Sequence, residues 1–91
     1  MRAKRLIIAG RVQAVGFRQW MVETAAKLGV AGWVRNRADG TVEAVIDGDT
    51  AAVEELVRAC RRGPRLAQVD RIDEELVDPP EGPGFRALPD G

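Results

Sequence analysis

The 91-residue sequence has no histidine, no serine and no tyrosine, and a single cysteine. Each gap removes a chemistry. Without histidine, the commonest general base and the commonest metal ligand are gone. Without serine there is no seryl nucleophile. The lone Cys60 excludes an intramolecular disulfide, and without histidine beside it the usual zinc ligand sets cannot be assembled. One cysteine also suits a reducing compartment. Long apolar runs are missing too. Met1-Arg2-Ala3-Lys4-Arg5 leads into Leu6-Ile7-Ile8, far too short for a signal-peptide core or a membrane span. These features predict a soluble, cytoplasmic protein.

Net charge is also absent, with 14 Lys and Arg against 14 Asp and Glu. A balanced chain is a poor ligand for polyanions such as nucleic acid or an anionic membrane surface. The balance is uneven along the chain. Residues 1–46 carry eight basic and three acidic side chains, a net of +5; residues 47–91 carry six and eleven, a net of −5. A small anion would be sought in the first half, unless folding mixes the two.

The apolar fraction is 45% and the charged fraction 31%, ordinary for a globular domain. The length suits a single domain over residues 1–91, since cores split only beyond roughly 250 residues. Leu6 to Ala9 reads as a buried strand, followed by a loop from Gly10 to Gly16. Phe17, Trp20, Met21, Ala25 and Leu28 then share one helical face, and Gly29 stands where a C-cap glycine belongs. Val30 to Asn36 predicts a strand. Asp39-Gly40 is a hairpin turn signal, and Val42, Ala44 and Ile46 alternate along the returning strand. Asp49 is placed to cap a second helix, with Val53, Leu56, Val57 and Cys60 on one face. Arg61 and Arg62 suit its last turn. Leu66 to Val77 is a weaker strand, with Ala67, Val69 and Ile72 inward. Phe85 to Leu88 is a short last strand.

This order, β-α-β-β-α-β plus one, is the ferredoxin-like split βαβ plan of the α+β class. An antiparallel sheet with two helices on one face is expected. The plan hosts many unrelated functions, so function must come from side chains.

Two segments hold candidate chemistry. The Gly10–Gly16 loop feeds straight into a helix, whose first N–H groups and partial positive charge attract anions. A loop with glycine at each end can turn its amides inward as a nest. Arg18 lies in the first helical turn, where a cation opposes the dipole. A bound anion would relieve that, and a guanidinium fork matches phosphate oxygens. The same residues also suit a plain strand-to-helix turn with a solvated arginine. The second segment is Arg35-Asn36-Arg37, where Asn36 either orients a water or merely ends a strand between exposed arginines. Trp20, Trp33 and Cys60 are expected in the core, and Asp73-Glu74-Glu75 on a solvated edge.

Gly10-Arg-Val-Gln-Ala-Val-Gly-Phe-Arg18 resembles the signature loop of the acylphosphatases. Gly32-Trp-Val-Arg-Asn-Arg-Ala-Asp-Gly-Thr-Val-Glu43 resembles their second signature, and Gly63-Pro-Arg-Leu-Ala-Gln-Val69 the segment after their second helix. The motifs come in the family's order and spacing across nearly the whole chain. The resemblance implies metal-free hydrolysis of carboxyl–phosphate anhydrides, with no cofactor and no covalent intermediate. By position, Arg18 would bind the phosphoryl group, backbone amides of Arg11, Val12, Gln13, Ala14 and Val15 would cradle its oxygens, and Asn36 would hold the attacking water. The implied partner is a small acyl phosphate, with no nucleic acid and no membrane, and a monomer is expected.

One departure is Ala14, where the family usually has glycine. A positive φ there would cost about 1 kcal/mol in backbone strain. That keeps open a module of the same fold that binds a phosphate-bearing ligand without turnover. A base-stacking nucleic-acid binder on this sandwich is disfavoured by four aromatics and zero net charge.

Overall fold

The computed structural model of the chain describes residues 3–91; Met1 and Arg2 of the basic start lie outside them. The elements are β1 (Ala3–Arg11), α1 (Phe17–Leu28), β2 (Ala31–Asn36), β3 (Val42–Asp47), α2 (Thr50–Arg62), β4 (Gln68–Val77) and β5 (Phe85–Ala87). They build one five-stranded sheet in the order β4-β1-β3-β2-β5. β1 pairs with β4 and β3, and β3 with β2, all antiparallel.

The sheet is mixed rather than wholly antiparallel, because β5 runs parallel to β2, with Gly32 opposite Phe85 and Val34 opposite Ala87. Connectivity explains this. β4 and β5 occupy opposite edges, and β4 finishes at the end of the sheet where β2 begins. The chain crosses there through residues 78–84, so β5 starts beside the start of β2 and climbs with it. As a result β1, β2 and β5 all finish at the same end.

One sheet face presents Leu6, Ile8, Val34, Val42, Ala44 and Ile46. It packs against Phe17, Met21 and Ala25 of α1 and Val53, Leu56, Val57 and Cys60 of α2, all buried. The strand alternation and the two helical stripes therefore close on one core, with each large apolar side chain contributing about 1.5–3 kcal/mol. Gly29, at φ 71°, ends α1 and donates to the carbonyls of Ala25 and Ala26. Asp49 is the N-cap residue of α2, but its side chain makes no cap bond; its carbonyl accepts from Val53 N at 2.9 Å.

β1 extends past the expected Ala9 to Arg11, so Gly10 lies in a strand rather than a loop. Its φ is 130°, and a Cβ there would collide with the Gln68 carbonyl of β4. The register slips at this point, with Ala9 opposite Arg71 and Gly10 opposite Val69. Asp70 is thus the extra residue of a bulge. That is why Val69 and Ile72, three apart, both pack on the core.

The other sheet face is covered by charge. Glu43, 4% exposed, accepts from Arg5 Nε at 2.6 Å and Arg35 Nε at 2.7 Å. Arg5 also reaches Glu75. Trp33 belongs to this face rather than to the expected helix-side core, and the Arg35 guanidinium lies 5.5 Å from its ring centroid. Trp20 is only partly buried and meets Phe17 edge-on, with ring centroids 5.3 Å apart. Glu74 pairs with Lys4 and Arg61, and Asp73 with Arg71, so the acidic run on edge strand β4 is neutralised by neighbours. Among the described residues no helix is long and apolar enough to cross a membrane.

Candidate active site

The convergence of β1, β2 and β5 at one end leaves a cleft. Residues 12–16 connect the last residue of β1 to the first of α1. Both ends of this loop are anchored: Val12 and Phe17 are 1% and 2% exposed and belong to the core. A side chain holds the middle. Gln13 Nε2 donates to the carbonyls of Arg37 at 2.7 Å and Thr41 at 2.9 Å. Those carbonyls belong to the β2–β3 turn, which Asp39 shapes by accepting from the Thr41 N–H and hydroxyl. The hydroxyl bond in particular holds the Asp39 carboxyl below its ordinary value. The two signature segments are thus tied by Gln13, whose side-chain role sequence reasoning missed.

The loop backbone turns left-handed twice. Gly16, at φ 78°, caps α1 with no side-chain bond. Ala14, at φ 60°, is the sole non-glycine residue with positive φ among the described residues. The sequence left two readings for this position, and the strained one holds. The geometry also leaves donors free. Among the described residues, the N–H groups of Gln13, Ala14 and Val15 bond to no protein acceptor, and neither do those of Phe17 and Arg18 in the first turn of α1. An array of unpaired amides at a helix start is an anion site in form. Arg11, expected in the loop, instead closes β1 opposite Gln68.

Arg18 projects from the first turn of α1, and Asn36 is the last residue of β2. Elements distant in sequence thus bring the two candidates to one place. An open cleft of about 490 Å³ is lined by Ala14, Gly16, Arg18, Gln19, Asn36 and the segment Ala87 to Pro89. Arg18 Nη1 donates to the Leu88 carbonyl at 3.0 Å. The same nitrogen lies 3.2 Å from Asp90 Oδ1. Leu88 N in turn donates to the Val34 carbonyl, and Gly91 N to the Asn36 carbonyl, both at 2.8 Å. The segment after β5 is therefore a third wall of the cleft. The weak, short β5 pattern carried no sign of it.

Arg35 and Arg37 are not part of this cleft. Arg35, expected to be exposed, is held by Glu43 on the opposite sheet face. Burial pushes the Glu43 carboxyl up, but bonds from Arg35 and Arg5 outweigh it and hold it below the ordinary value. Cys60 is buried under α2, and burial pushes its thiol up to about 12, so it offers no thiolate. Among the described residues no cluster of three or more acidic or cysteine side chains forms a metal-ligand set.

The acylphosphatase family model matches residues 4–87. The chain belongs to the acylphosphatase family. An acylphosphatase from Acidiphilium cryptum is 65% identical over 85 residues, covering 93% of each chain. One from Rhodospirillum rubrum is 53% identical, covering 98% of each. The crystal structure of acylphosphatase from Bacillus subtilis superposes with a TM-score of 0.89 at 37% identity, covering 97% of this chain and 99% of that one. The ferredoxin-like fold expected from the element order is thus the acylphosphatase fold.

Proposed function

We propose that Arg18, the backbone amides of residues 11–15 and Asn36 form the catalytic centre of an acylphosphatase that works without metal ion or covalent intermediate. Family membership makes the chain an enzyme acting on acyl phosphates, and this substrate asks little of a protein. Its carboxylate is a good leaving group, so catalysis reduces to positioning and charge stabilisation.

The phosphoryl oxygens rest on the loop amides, Val12 to Val15, with Arg11 at the strand end from which they depart. Arg18 supplies the full positive charge. Its Nη1 is occupied by the Leu88 carbonyl, which leaves its remaining N–H groups to the anion. Asn36 holds a water that attacks phosphorus in line. The P–O bond to the acyl group breaks, the carboxylate leaves with the bonding pair, and the water's proton passes to a phosphoryl oxygen. The chain has no histidine, and the one carboxylate beside the cleft, Asp90, is ion-paired with Arg18, in keeping with the substrate serving as its own proton acceptor.

The single observation that supports this reading is the shared cleft: Ala14 of the loop, Arg18 of α1 and Asn36 of β2 line one space, next to a run of unpaired amides. The test is release of phosphate from benzoyl phosphate with a chelator present. Hydrolysis far above the buffer rate is expected; a rate equal to buffer contradicts the proposal. The strained φ of Ala14 favours one rival, a phosphate-binding module without turnover. Heat protection by phosphate together with no hydrolysis would select it. The same reading extends to a monomer acting on a small acyl phosphate in the cytoplasm, a reducing compartment that the lone free Cys60 suits.

A further inference from the structure

Arg18 is touched by two acceptors of different character. The Leu88 carbonyl is a fixed strut, because Leu88 N is itself bonded to Val34 in β2. The Asp90 carboxylate is not fixed: its side chain is 72% exposed, Arg18 is 36% exposed, and the two meet at 3.2 Å. An exposed pair of this kind is weak and readily exchanged. Both acceptors use the same guanidinium nitrogen. We infer that the Asp90 carboxylate is an exchangeable counter-ion of Arg18, which competes with the phosphoryl group for that guanidinium.

The inference rests on the reading of Arg18 as a phosphate ligand. Its physical basis is charge. The loop amides are uncharged donors, so the guanidinium carries the only formal positive charge in the cleft lining. A carboxylate in contact with it reduces the field that draws in a phosphate dianion. Asp90 also has no other ion-pair partner among the described residues, and α1 presents no acidic residue in its first turn. Without an anion in the cleft Asp90 satisfies Arg18; with one, the carboxylate swings into water at little cost. Asp90 would then set how tightly substrate and product phosphate are held, while the chemical step is left alone.

The experiment is competitive inhibition of benzoyl phosphate hydrolysis by inorganic phosphate, in the wild type and in Asp90→Asn. Asn keeps an oxygen acceptor and removes only the charge, and the exposed position leaves the melting curve unchanged. At low salt the inhibition constant and KM are both expected to fall roughly two- to fivefold, the worth of an exposed ion pair. The kcat stays the same, because binding changes equally in the ground and transition states. High salt narrows the gap. An unchanged or raised inhibition constant overturns the inference, and a fall in kcat would make Asp90 a strut for Arg18 instead. Phosphate binding to Arg18→Ala, followed by calorimetry, separates the two levels. If that variant binds phosphate as the wild type does, the Arg18 reading fails. If it loses phosphate while Asp90→Asn changes nothing, only the counter-ion inference fails.

Discussion

Arg18 and Arg35 carry the same charge on neighbouring elements, yet their surroundings are opposite. Arg35 and Arg5 close on a buried carboxylate, and the open sheet face holds a matched set of charges. Arg18 meets one carbonyl and one exposed carboxylate beside a loop of unpaired amides. Buried charges must be paired where they hold a fold together. Where an anion is to be bound, donors must be left over. On the proposed function, the difference between these two regions separates stability from catalysis more clearly than the local density of arginine does.

The sharpest way to break the contrast is to remove the unmatched charge. Arg18→Ala is expected to lower kcat/KM on benzoyl phosphate by about 10²–10³, the usual cost of one preorganised transition-state donor. Its Tm should hardly move, since Arg18 makes only partly exposed bonds. Asn36→Ala comes next: kcat falls by about 10², phosphate binding is spared, and steady-state kinetics with phosphate as inhibitor measures both.

The matched region should answer in the other currency. Glu43→Gln leaves two guanidinium groups without their shared carboxylate, an expected loss of about 1–3 kcal/mol, read by denaturant unfolding. Activity measured well below Tm should remain. The pH dependence follows from the direction of the shift. Glu43 is held below its ordinary value of 4.5 in the folded protein. Its stabilisation is therefore fully present above that value and is lost as pH falls through the lowered one. The stability gap between wild type and variant should close in acid.

The smallest effect belongs to Ala14→Gly. Relief of the left-handed strain, about 1 kcal/mol, is partly offset by glycine's greater freedom in the unfolded chain. A gain of zero to about 1 kcal/mol is expected, with phosphate held up to several-fold more tightly. A loss of stability on this substitution would contradict the backbone geometry at Ala14.

Much of this was legible in sequence for local reasons. The helical stripes from Phe17 and Val53, the Gly29 cap and the Asp39-Gly40 turn depend on neighbours a few residues away. The two signature segments named Arg18, Asn36 and the loop, and the structure brings them into one cleft. What escaped depends on register and on the chain's return. Glu43 reads as an outward residue of an alternating strand. Its burial appears only when Arg5 and Arg35 are set on either side by pairing across β1 and β2. The parallel run of β5 follows from which edge the chain must reach. The contacts of Leu88 and Asp90 with Arg18 bridge 70 residues or more. The +5 half holds the proposed anion site. The two halves also mix: Lys4 and Arg5 are neutralised by Glu74 and Glu75.

The most direct test is the heat protection that saturating inorganic phosphate gives to three proteins: wild type, Arg18→Ala and Glu43→Gln. A ligand that binds only the folded state raises its Tm. The wild type and Glu43→Gln should gain the same increment, from different starting temperatures, and Arg18→Ala should gain almost none. If Arg18→Ala is protected as fully as the wild type, or if Glu43→Gln loses protection, the division between an anion-binding end and a structural face is wrong.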